Sequence, residues 1–166
     1  MCSGKKSKVM CYAYAYPSFV GDLCLVADET ALLSVSYADG LVLDFSGTLP
    51  DSAVIRETAR QLDAYFAGRL KRFELPLGIA GDGFTADVWR ELMEIPYGAV
   101  RTYGDIAARM GHPGAARAVG SACRKNPFAI IVPCHRAVSV ARGAYSGYAG
   151  GVDKKIMLLD FEKAHA

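Results

Sequence analysis

No apolar run in this 166-residue chain approaches the roughly 20 residues a membrane-spanning helix needs, so a helical membrane protein is excluded. The basic start, Met-Cys-Ser-Gly-Lys-Lys-Ser-Lys, is not followed by the continuous apolar core of a secretory signal. Val9 to Tyr16 alternates instead, so the expected location is intracellular: cytoplasmic or, in a eukaryote, nuclear. Cys-x-x-Cys is also missing, and the five cysteines (Cys2, Cys11, Cys24, Cys123, Cys134) are an odd number. A disulfide framework is not expected, which fits a reducing compartment. Cys2, Cys11 and Cys24 are widely spaced with no histidine nearby, which weighs against a zinc site. What remains is a composition of 52% hydrophobic and 22% charged residues, ordinary for one globular domain or two small ones.

Net charge is only +2, but it is unevenly spread. Residues 1–83 carry 8 basic and 10 acidic side chains, a net of −2, whereas residues 84–166 carry 11 and 7, a net of +4. From Arg90 to Arg142 there are 8 basic and 3 acidic residues, a net of +5, and seven of the eight are arginines. A local basic field of this kind suits a polyanion such as nucleic acid; an ordinary solvated face is the plainer reading.

Inside that region lies Asn-Pro-Phe-Ala-Ile-Ile-Val-Pro-Cys-His-Arg, residues 126–136. Ile130, Ile131 and Val132 form an apolar β-branched run between two prolines, and the run reads as a short buried strand, although so short a run could also belong to a helix. Cys134, His135 and Arg136 follow directly. A thiol is nucleophilic as the thiolate, and neighbouring cations such as His135 and Arg136 favour that form. His135 could also serve as a base. Adjacent residues of an extended segment point to opposite sides, so His135 meets Cys134 only through a bend after Pro133 or a bridging water. Free cysteine is commonly buried, so the pair alone is equally consistent with core packing.

Before this stretch, Val9–Tyr16, Val20–Ala27, Ala31–Tyr37 and Leu41–Phe45 read as an antiparallel meander, with Asp39-Gly40 as a hairpin turn. Val54–Phe66 is an amphipathic helix with Asp51 or Ser52 as its cap and Gly68 as its stop. Arg69–Leu77 reads as a last strand, and the glycine-rich segment 78–83 as a linker. The expected domains are therefore 1–80 and 81–166. In the second, Thr85 is expected to cap a helix reaching about Ile95. Thr102 to Asp105 resembles a capping box opening a short helix to Met110, and a third helix spans Gly114 to Arg124. That order is a helix-turn-helix. On the third helix Val119, Ala122 and Cys123 share an inward face; Arg117, Ser121 and Arg124 share the other, beside Gly120. Small residues rimmed by arginines suit close approach to a phosphate backbone, or equally to a neighbouring helix. Gly143, Gly147, Gly150 and Gly151 surround Tyr145 and Tyr148 in a loop able to wall a pocket. The last helix, about Asp153 to Lys163, turns Glu162 inward, where it would want a partner such as His135.

Taken together, Ile-Pro-Tyr-Gly at 95–98, Thr102-Tyr103, Ala116 to Gly120, Asn126-Pro127, Pro133 to Arg136 and the Gly-Tyr loop before Glu162 resemble the O6-alkylguanine-DNA alkyltransferase family, also called methylated-DNA–protein-cysteine methyltransferases. The resemblance covers Phe84 to Glu162 closely and the first half only in layout. It implies an α+β fold: a small antiparallel sheet with helix, ribonuclease H-like in layout, followed by a helical winged helix-turn-helix domain carrying the active site. It implies direct-reversal DNA repair, in which an alkyl group moves once and irreversibly from O6-alkylguanine, or O4-alkylthymine, in double-stranded DNA to Cys134.

By the same resemblance His135 would take the thiol proton through a water, Glu162 would orient the imidazole and Asn126 would brace the turn. Tyr103 would contact the flipped base and help rotate its phosphate, Tyr148 would wall the pocket, and Arg117 would fill the gap left in the duplex. Gly104 and His112 match positions that touch the DNA backbone, and Ser121 and Arg124 lie on the DNA-facing helix. No metal or organic cofactor is needed, and a monomer is expected. Two departures, Ala137 for a usual valine and Ala129 for a frequent proline, leave a looser, larger pocket. Two rivals stay open on the residues alone: a cysteine hydrolase built on Cys134, His135 and Glu162, and a winged-helix lesion sensor without chemistry.

Overall fold

Alternation along the first strands sets up the fold. In β2 (Leu23–Ala27), Leu23, Leu25 and Ala27 are fully buried, while Cys24 and Val26 between them are only half-buried. β2 lies centrally between β1 (Tyr12–Tyr16) and β3 (Leu32–Tyr37), antiparallel to both. The computed structural model describes residues 9–40, 48–141 and 143–166. The strand expected over Leu41–Phe45, Cys2 and Arg142 lie outside the described residues.

One face of this sheet is covered by α1 (Ala53–Phe66), which buries Val54, Ile55, Ala59, Leu62 and Tyr65. Ser52 caps it by accepting the Ile55 amide at 3.3 Å, and Gly68, at φ +73°, ends it in the left-handed conformation glycine tolerates. The strand expected over Arg69–Leu77 does not form. The segment meets β3 at one parallel bridge, where Leu32 N donates to Pro76 O and Gly78 N donates to Leu32 O. Pro76 has no amide to extend a ladder, and the rest of that edge is taken. There Val35 N donates to Pro127 O at 2.8 Å and Ala129 N donates to Val35 O at 2.9 Å. The first sheet is thereby hydrogen-bonded to the segment that leads into Cys134.

The second half contains α2 (Phe84–Met93), β4 (Arg101–Thr102), α3 (Tyr103–Arg109), α4 (Ala116–Arg124), β5 (Ala137–Val138) and α5 (Val152–Ala164). β4 and β5 pair in parallel. Thr102 and Asp105 form the capping box of α3 with both reciprocal bonds. Two expected boundaries move. Gly83, not Thr85, occupies the N-cap of α2, leaving Thr85 in the first turn, and α4 starts at Ala116 because Gly114 sits at φ +90°. None of the helices among the described residues is long and apolar enough to cross a membrane.

Candidate active site

The run Ile130–Val132 is buried as expected, but it is a turn rather than a strand. Ile131 N donates to Ala129 O and Val132 N to Phe128 O, so the backbone closes on itself. Ile130 adopts φ +71°, a conformation β-branched residues rarely enter. Asn126 ties the turn down: its Nδ2 donates to Val132 O at 2.8 Å and its Oδ1 accepts from Phe128 N at 2.9 Å. The chain then bends after Pro133 into a single 3-10 turn, Cys134–Arg136.

Asn126 Nδ2 also lies 3.2 Å from Cys134 Sγ. His135 and Glu162 are both fully buried, and His135 Nε2 lies 2.8 Å from Glu162 Oε1. Glu162 gathers four further donors: Tyr65 OH at 2.7 Å, Arg136 Nε and Nη2 at 2.9 Å each, and the Gly98 amide at 3.3 Å. His135 Nδ1 has no hydrogen-bond partner among the described residues. A carboxylate accepts only, so the tautomer consistent with this geometry carries its proton on Nε2 and its lone pair on Nδ1.

Burial pushes the Cys134 thiol above its ordinary pKa, and the Asn126 hydrogen bond and the positive charge of Lys155 offset this only in part. Burial likewise pushes His135 down, against the pull of Glu162. For Glu162, burial works to raise the carboxyl, but its bonds to His135 and Arg136 prevail and hold it well below the usual range. The resting pair is a neutral thiol beside a neutral imidazole, with a charged carboxylate behind. This corrects the expectation that His135 and Arg136 would hold Cys134 as a thiolate. Arg136 points away from the sulfur, its guanidinium bonded to Glu162 and to Ile95 O.

Cys134 is 5% exposed and lines a cavity of about 390 Å³. Asn126, Ala129 and Tyr148 line it together with Ser34, Ser36 and Tyr37 of β3. Tyr148 is buried, its hydroxyl 2.8 Å from that of Tyr37. A second cavity, about 320 Å³, is lined by Tyr103, Arg117, Gly120, Arg124 and Ser139. Tyr103 packs against Gly120, where a Cβ would stand 3.2 Å from the ring. Ser121 is half-buried on the same helix, Arg117 and Arg124 are exposed, and Gly104 is exposed at the start of α3. The candidate residues thus form two groups: Cys134, His135, Glu162, Asn126 and Tyr148 in one, Tyr103, Arg117, Ser121 and Arg124 in the other. His112 joins neither; it lies edge-on to Phe84, in a recess shared with Asp87, Arg90, Glu91 and Glu94. Cys11, Cys24, Cys123 and Cys134 are free thiols, and no group of three or more His, Cys, Asp or Glu among the described residues is placed to hold a metal.

Residues 83–164 match the family described as "6-O-methylguanine DNA methyltransferase, DNA binding domain", and residues 10–79 match its "ribonuclease-like domain". The chain belongs to the methylated-DNA–protein-cysteine methyltransferases. A relative of that name from Methanosarcina acetivorans is 46% identical over 156 residues, spanning 91% of this chain and 97% of the relative. One from Mycobacterium leprae is 43% identical over 93% of each chain. The crystal structure of the Mycobacterium tuberculosis O6-methylguanine methyltransferase superposes with a TM-score of 0.81 at 41% identity, covering 95% of both chains. A structure of that enzyme in complex with DNA gives 0.78 at 41% identity, covering 92% of both.

Within this methyltransferase fold three side chains near the site escaped the sequence reading. Lys155 is almost fully buried and donates to Ala137 O at 2.6 Å. It precedes Glu162 by two helical turns, so the periodicity that turns Glu162 inward also turns Lys155 inward. Tyr65 and Tyr37 come from the first half. No local pattern names partners 97 and 111 residues away.

Proposed function

We propose that this protein repairs duplex DNA by transferring the alkyl group of O6-alkylguanine, or of O4-alkylthymine, to Cys134, once per molecule. The observation that carries this reading is the Cys134 sulfur on the wall of a cavity large enough for a nucleobase, next in sequence to a buried imidazole whose Nδ1 is unengaged among the described residues and whose Nε2 meets a buried carboxylate. The target base must leave the stack to reach it, at a cost of a few kcal/mol. Arg117 on exposed α4 is the side chain that fills the vacated position, and Tyr103 stands beside it.

In the reaction the Cys134 S–H proton moves to His135 Nδ1, directly or through a water, as sulfur attacks the alkyl carbon. The new S–C bond forms while the C–O6 bond breaks, and its electrons leave on guanine. The Tyr103 hydroxyl donates a hydrogen bond to the ring nitrogen on which charge develops, and the proton taken up by His135 passes on through water to neutralise the leaving base. Glu162 stabilises the imidazolium as it appears. Asn126 keeps the sulfur aimed by fixing the turn on which it rides. Because the product is a thioether, water does not regenerate the thiol. The chain acts as a monomer in the cytoplasm, with halves divided near residue 80.

The test is a duplex carrying O6-methylguanine, with the protein digested and its peptides weighed. One methyl should appear on the Cys134 peptide and none when Cys134→Ser is used. Repeated turnover would instead indicate a hydrolase, and tight binding with an unmodified cysteine would indicate a sensor; either outcome overturns the proposal.

A further inference from the structure

We infer that Tyr65, from the helix of the first half, is a positioning residue that sets the basicity of His135 through Glu162; for its bearing on catalysis this rests on the reading of His135 as the base. Tyr65 is fully buried, and its hydroxyl donates 2.7 Å to Glu162 Oε1, the same oxygen that faces His135 Nε2 at 2.8 Å. Arg136 Nη2 reaches that oxygen as well, at 2.9 Å, so three groups share the electron density of one carboxylate oxygen. Burial and the adjacent carboxylate raise the Tyr65 hydroxyl far above the ordinary phenol range, so it stays a donor at every working pH. The ring is fixed by Phe66, Phe73, Tyr97 and Phe161, with centroids 5.2–6.0 Å away.

Few charges surround His135. Glu162 and Lys155 face it from α5, Arg136 from its own turn, and the neutral Tyr148 ring from the loop that leads into α5. Glu162 in turn is held by Tyr65 from α1, by Arg136 and by the Gly98 amide. Tyr65 is the neutral side-chain donor in this set, and the first half of the chain supplies it. Removing its hydroxyl concentrates negative charge on Oε1. That charge favours imidazolium, so the His135 pKa must rise.

Tyr65→Phe keeps the ring and removes only the hydroxyl. Tyr97→Phe is the matched control, because the Tyr97 hydroxyl is buried with no hydrogen-bond partner among the described residues and its ring lies 6.0 Å from that of Tyr65. With three histidines in the chain, ring resonances can be assigned and titrated individually by NMR. The expected result for Tyr65→Phe is an upward shift of His135 by roughly half to one pH unit. The acid limb of the methyl-transfer rate should move by the same amount, with unaltered affinity for duplex DNA. Tyr97→Phe should shift neither. An unmoved His135 in Tyr65→Phe, or an equal shift in both variants, would overturn the inference. Should His135 shift while the parent protein transfers no methyl group, the coupling stands and the proposed function fails.

Discussion

At the scale of single residues the site is governed by burial more than by neighbouring charge. Cys134 is held as a thiol and His135 as a neutral imidazole because neither ion is well solvated where it sits. The sign of the pH dependence follows. A base whose pKa lies below the ordinary 6.5 stays competent through neutrality and is lost only as pH falls further. The rate of methyl transfer should therefore be level from about pH 7 to 8 and drop on the acid side of 6.5, read by single-turnover quench assays. A rate climbing steadily with pH through this range would mean the free thiolate reacts without His135. Stability has the same sign. The unfolded chain binds the proton on His135 more readily, so this group withdraws stability as pH falls through 6.5 towards its folded value. Glu162 follows at lower pH, its contribution present above the ordinary 4.5 and lost as pH falls towards its folded value.

Legibility at this scale was uneven for physical reasons. Glu162 could be seen facing inward because helical period alone decides that. Arg136 was misread as a partner of Cys134, since neighbours in a tight turn diverge and its guanidinium finds Glu162 instead. Ile130 was read as strand because burial and β-branching are shared by strands and by this turn. The resemblance pointed to Asn126 as the brace of the turn, but residue pattern alone does not show that its bond to Val132 O accompanies a φ of +71° at Ile130.

Elements were more readable where they carry their own signals. The capping box of α3 and the serine cap of α1 are written in adjacent residues, and both form. Arg69–Leu77 fails as a strand because the partner edge of β3 is shared with Pro127–Ala129, a competition between distant segments. On α4, Gly120 is required by its neighbour more than by its backbone, for Tyr103 lies where a Cβ would go. Gly120→Ala should improve helix propensity by up to about 1 kcal/mol. Displacing Tyr103, it should also slow transfer from duplex DNA by roughly tenfold or more. Thermal unfolding and single-turnover rates together check this: unchanged transfer would show that Tyr103 has no positional role.

Across the whole molecule the two halves share one centre. The first sheet bonds to Pro127 and Ala129, Tyr37 meets Tyr148, and Tyr65 meets Glu162. The basic field read from composition is thinner in three dimensions. Arg90, Arg101, Arg109 and Arg136 are each paired with a carboxylate, whereas Arg117, Arg124 and Lys125 carry no ion pair among the described residues. Three unpaired cations of this field among the described residues imply a slope of log Kobs against log salt near −3 for DNA binding, measured by fluorescence titration. A slope near −7 would require the paired arginines to release their partners and reach phosphate.

The central claim is that Cys134 is consumed by the group it removes. It is tested most directly by counting methyl groups transferred per protein molecule as O6-methylguanine duplex is raised to large excess. The count should stop at one, with all of it on Cys134. A count that keeps climbing, or one that stops at one on any other residue, would contradict the account.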